Sequence, residues 1–128
     1  MKFILLMNTM SGDSSGIGEW EEVDLQRHIA FMRDVNVRLQ SAGEFVTAEG
    51  LAFPDEAKRV VAQQDGPADV STDFPASEKF LAGFWIVDVA DERRALEIAA
   101  EISAAPGPGN ESLNMPIEVR PIMSAPPV

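Results

Sequence analysis

His28 is the chain's one histidine. Leu25 lies three residues before it and Met32 four after, so at helical spacing His28 falls on or beside an apolar stripe. An imidazole changes charge near neutral pH, which suits general acid/base work. A carboxylate on one ring nitrogen fixes the tautomer and stabilises the protonated form. Two acids are candidates for that orienting role: Asp24, one helical turn before His28, and Asp73, in a bend ahead of an apolar strand. Lys79 and Arg120 are candidate anion holders, Arg120 through a bidentate grip on a carboxylate, and Trp85 is a candidate substrate-binding ring. Each has a plainer alternative. A helix histidine can be satisfied by water or a backbone group, and an Asp at a turn often bonds its own backbone two residues on. A strand arginine commonly pairs with a neighbouring acid, and a strand tryptophan commonly packs in the core.

Other chemistries lack their residues. With no cysteine there is no disulfide, thiolate zinc site or Cys nucleophile. No Gly-x-Ser-x-Gly elbow, His-x-x-x-His pair, EF-hand loop or glycine-rich phosphate loop occurs. The expectation is a site without metal or cofactor. Ten Lys and Arg stand against 21 Asp and Glu, a net charge of −11. That balance gives phosphates no basic footprint, so neither nucleic acid nor an anionic membrane surface is an expected partner. No run approaches the ~20 apolar residues of a membrane span, and the apolar run at residues 3–7 is too short for a signal peptide. A cytoplasmic protein is expected.

The elements that must position these groups follow from periodicity. Residues 2–8 are apolar at both alternate sets of positions and read as a strand buried on two faces. A Gly/Ser-rich loop follows, then a helix from about Glu19 with Leu25, Ile29, Met32, Val35 and Leu39 on one side and Gly43 at its C-terminal cap. Residues 44–53 and 57–64 read as strands, Asp65-Gly66-Pro67 as a hairpin turn and 68–81 as a connection. Residues 83–89 read as a strand apolar on both faces, and Asp91 as the N-cap of a second helix bearing Ala95, Ile98, Ala99 and Ile102. A last strand covers 116–123, with Pro116 and Pro121 directing it to a sheet edge, and residues 124–128 form a tail.

The order βαβ-β-βαβ predicts an α+β, ferredoxin-like sandwich with an antiparallel sheet and two helices on one face. Two helices cover one face only, while the first and fourth strands are apolar on both. A second copy, sheet against sheet, is the simplest cover, so a homodimer is expected.

Several stretches carry a resemblance: "MKFILLMN" at 1–8, "GEFVTAEGL" at 43–51, "AGFWIVDV" at 82–89, "DERRALEIAA" at 91–100 and "EVRP" at 118–121. In this order they resemble the YCII-related family, in particular its DGPF branch, and mark residues 1–123 as one such domain. The branch signature, a Thr-Asp-Gly-Pro-Phe bend, is altered here. Either Phe74 replaces its Gly and Ala76 its Phe, or Gly-Pro is deleted and Phe74 is the signature Phe; Asp73 remains in both placements. The resemblance implies a dimeric α+β barrel that binds a small molecule, and a first-helix histidine paired with a carboxylate as the catalytic group. His28 stands at a similar position. The family's usual partner Asp follows the second helix, where "SAAPGPG" carries no acid. Two functions are compatible with the resemblance. One is a cofactor-independent enzyme of elimination or isomerisation; the other is a non-catalytic accessory module, for example linked to extracytoplasmic-function sigma factors.

Overall fold

The computed structural model describes residues 1–10, 20–72 and 79–123. The apolar opening run forms β1 (Lys2–Met10), and α1 follows at Glu22–Ser41. Then come β2 (Phe45–Gly50), β3 (Arg59–Val61), β4 (Asp69–Ser71) and β5 (Lys79–Asp88). The helix α2 (Glu92–Ser103) and β6 (Ile117–Pro121) complete the chain. The main sheet is antiparallel, with strand order β2-β5-β1-β6 and the proline-bearing β6 at an edge as expected. This is the α+β, ferredoxin-like arrangement.

One strand assignment needs correction. The run at 57–64 does not join the main sheet. Its centre, β3, pairs with β4 in a separate hairpin, and β4 comes from the stretch read as a connection. All three residues of β3 are exposed, so this strand buries no face in the core. Asp65-Gly66-Pro67 does make the turn of that hairpin, with Gly66 at a φ of +99° that favours glycine.

The core lies between the sheet and both helices. Phe3, Leu5, Trp85, Val87 and Val89 come from the strand side, Val35 and Leu39 from α1, and Ala95, Ile98, Ala99 and Ile102 from α2. Asp91 caps α2 as predicted, its carboxylate accepting from the Arg94 N–H at 3.0 Å. The guanidinium of Arg94 grips the Glu44 carboxylate, with Nη2 at 2.9 Å from Oε1 and Nε at 2.9 Å from Oε2, tying α2 to the start of β2. These hydrogen bonds raise Arg94 further above its ordinary pKa. Arg38 links the helices, bonding Glu101 of α2 and Asp34 of its own helix, and both bonds raise its pKa.

Side chains alternate across a strand, so Ile4, Leu6, Phe84 and Ile86 face away from the helices. The register aligns them in two rows, Thr47–Ile86–Ile4–Arg120 and Glu49–Phe84–Leu6–Glu118. The four apolar residues at the centre of these rows are half-buried.

Gly83 is fixed by close approach. A Cβ there would lie 2.9 Å from the Glu49 carbonyl oxygen, a backbone atom that cannot swing aside. Gly83→Ala is expected to cost about 1–3 kcal/mol by pushing β2 from β5. A thermal melt shows this as a Tm lowered by several degrees; an unchanged Tm contradicts the account.

Candidate functional site

The inward face of α1 differs from its predicted stripe. Its buried residues are Asp24, His28, Val35 and Leu39, while Ile29 is turned outward at 40% exposure. The C-terminal half of this stripe is apolar and rests on the sheet. The N-terminal half carries two polar residues, Asp24 and His28, at 8% and 7% exposure. A polar group this buried needs a partner.

His28 finds one in the chain between α2 and β6. Its Nδ1 lies 3.0 Å from the carbonyl oxygen of Pro106. A carbonyl only accepts, so Nδ1 carries the proton, and Nε2 is left with its lone pair in the neutral ring. The carbonyl is firmly held. The Leu113 N–H donates to Ala105 at 2.9 Å, the Gly107 N–H to Glu111 at 2.7 Å, and the Ser103 hydroxyl to the Met115 carbonyl at 2.6 Å. Gly107 packs closely here: a Cβ on it would lie 2.5 Å from Leu113 Cδ2, so that side chain would have to move aside. The segment leads into β6 at Ile117, opposite Met7 on β1.

Trp20, just ahead of α1, packs against the same ring. Its ring meets the imidazole edge-to-face, at a centroid distance of 5.4 Å and an interplanar angle of 90°. Its indole Nε1 is buried without a hydrogen-bond partner.

The expected site residues are placed as follows. Asp24 lies one turn from His28 on the same face, but its ion pair is with Arg27, Nη1 to Oδ1 at 3.3 Å. The contact to the His28 ring nitrogen comes from the Pro106 carbonyl instead. Asp73 lies outside the described residues. Lys79 is exposed at the start of β5. Arg120 is exposed on the helix-free face, 3.9 Å from Glu118, and so across the sheet from His28. Trp85 is packed in the core, its indole N–H donating to Asn36 Oδ1 at 3.0 Å, and Phe84 is the ring that faces the helix-free side. The residues that do converge, by side chain or carbonyl, are His28, Trp20 and Pro106. Sequence reasoning missed the last two. A backbone acceptor leaves no mark in residue type, although the Pro-Gly-Pro-Gly run at 106–109 does signal a fixed turn.

Among the described residues, no group of three or more His, Asp or Glu side chains is placed to hold a metal ion. No helix there is long and apolar enough to cross a membrane. The chain matches the YCII-related domain over residues 1–110. It belongs to the YCII-related domain family. No curated protein matches it. In this YCII-related domain the match spans β1 through the Pro106 turn, and so includes His28, its backbone acceptor and Trp20.

Proposed function

We propose that this YCII-related domain, of the DGPF type, binds a small organic molecule beside His28 and acts on it by general acid/base catalysis without a cofactor. The observation that carries this reading is the buried imidazole with Nδ1–H committed to the Pro106 carbonyl, which leaves Nε2 as the base. Elimination and isomerisation next to a carbonyl both begin by removing a proton from the adjacent carbon. Exchange of deuterium from small α-deuterated ketones and lactones therefore tests the reading without the natural substrate. The wild type is expected to accelerate exchange, and His28→Gln to lower that acceleration by about 10²–10⁴-fold. Equal rates for the two proteins would remove His28 from catalysis.

The working unit is proposed to be a homodimer. The half-buried patch of Ile4, Leu6, Phe84 and Ile86 supports this, since both described α-helices lie on the other face. The β3–β4 hairpin adds Val60, Val61 and Val70, each more than half exposed. An isolated two-stranded hairpin is marginally stable in water, and a second copy would give it cover.

A second reading is a non-catalytic binding or accessory module, for example one serving extracytoplasmic-function sigma factors. The Asp24 pairing favours it, because the nearest acid on the helix is engaged by Arg27 and not by the imidazole. No acceleration of exchange by the wild type, together with ligand binding at His28, is the outcome this second reading predicts.

A further inference from the structure

Trp20 Nε1 is the one buried side-chain nitrogen or oxygen among the described residues with no hydrogen-bond partner. A buried, unmatched donor costs about 1–3 kcal/mol in a folded protein, and native chains retain few of them. A phenylalanine would fill much of the same space without that cost. The edge-to-face contact with His28 offers the N–H at most the π-face of the imidazole, a weaker acceptor than an oxygen. The other tryptophan is the contrast: Trp85 is packed in the core, and its N–H is matched by Asn36 at 3.0 Å.

The location of this unmatched donor gives it a use. It belongs to the ring packed against His28, whose Nδ1 is taken by Pro106 and whose Nε2 is the remaining ring nitrogen. Donor and base are complementary. An oxygen acceptor bound by the indole N–H would place the rest of a small molecule beside the imidazole. The donor is shielded from bulk water, where a hydrogen bond to it counts for more.

We propose that Trp20 Nε1–H is the anchoring donor of the His28 site, and that the ligand presents a carbonyl or carboxylate oxygen to it. This rests on the reading of His28 as the ligand-binding group and adds the chemical class the ligand must have. Trp20 acts as a substrate-binding residue, and a carbonyl held there would also be polarised toward loss of an adjacent proton.

The test uses the full chain and two probes, acetamide for a neutral carbonyl and acetate for a carboxylate. With two tryptophans in the sequence, the indole N–H region of a ¹⁵N–¹H spectrum holds two signals, and the Trp85 signal serves as the internal reference. The single histidine reports through its own ring protons. At least one probe, titrated to about 50 mM in keeping with the weak affinity of so small a ligand, is expected to move the Trp20 and His28 signals together while Trp85 stays. Which probe binds tells the neutral from the anionic class. Trp20→Phe keeps the ring, loses the donor, and is expected to weaken binding about fivefold to tenfold while melting no lower than the wild type. The proposal is overturned if neither probe moves the Trp20 signal, or if Trp20→Phe binds as tightly as the wild type. A moving His28 signal with a still Trp20 signal would defeat this proposal and leave the His28 site standing. The reverse pattern would defeat the His28 reading itself.

Discussion

Ile86→Asp is expected to leave the protein monomeric. Ile86 occupies the middle of a helix-free row, between Thr47 on β2 and Ile4 on β1. In a two-fold assembly the substitution appears twice at the interface. Each copy loses roughly 1.5–3 kcal/mol of apolar burial and places an unpaired carboxylate where water has been excluded. Together these should raise the dissociation constant by about 10³-fold or more. The position is only half-buried in the single chain, so the variant should still fold, with an unchanged circular dichroism spectrum. Leu96→Asp is the control, since Leu96 is 51% exposed on α2, on the other side of the sheet. Light scattering is expected to give twice 13.9 kDa for the wild type and the control, and 13.9 kDa for Ile86→Asp. A wild type that is monomeric at micromolar concentration would contradict the dimer.

Trp85→Ala is expected to cost about 3–5 kcal/mol, a large share of the ~5–15 kcal/mol that holds a domain of this size together. Trp85 is 7% exposed within the core cluster, and its removal also leaves Asn36 without its donor. Trp85→Phe keeps most of the packing and loses the bond, which should cost nearer 1 kcal/mol. Denaturant unfolding of both variants separates this role from ligand binding. If Trp85 held a ligand instead, Trp85→Phe would lower affinity with little change in stability. The opposite pattern is expected: acetamide or acetate binds Trp85→Phe as it binds the wild type, while the unfolding midpoint falls.

Short runs apolar at both alternate sets of positions in β1 and β5 made the sheet readable, because strands apolar on both faces have few other solutions. The Asp91 cap and the glycine at residue 43, with φ at +72°, marked helix ends by local chemistry alone. The hairpin was less legible. Val60, Val61 and Val70 carry the β-branched signal of core strands, yet they lie exposed in a two-stranded piece outside the main sheet. Propensity reports how a residue suits a strand, not whether a neighbouring layer will cover it. The candidate site was half legible. A lone histidine on a helix stripe drew attention to His28, but spacing on that helix pointed to Asp24 as the orienter. The atom that meets the ring is a main-chain oxygen 78 residues away, brought there by the return of the chain after α2. Trp20 was invisible as a donor, since its unmatched N–H exists only once the ring is packed against His28.

The proposed chemistry turns on which nitrogen of His28 carries the proton. Long-range ¹H–¹⁵N correlation of the single imidazole reads this directly, because the two nitrogens resonate far apart when one is protonated and the other is not. At a pH where the ring is neutral, the expected spectrum has a protonated Nδ1, donating to Pro106, and an Nε2 with a free lone pair. A ring protonated on Nε2, with Nδ1 bare, would break the bond to the Pro106 carbonyl and remove the base that the proposed chemistry requires.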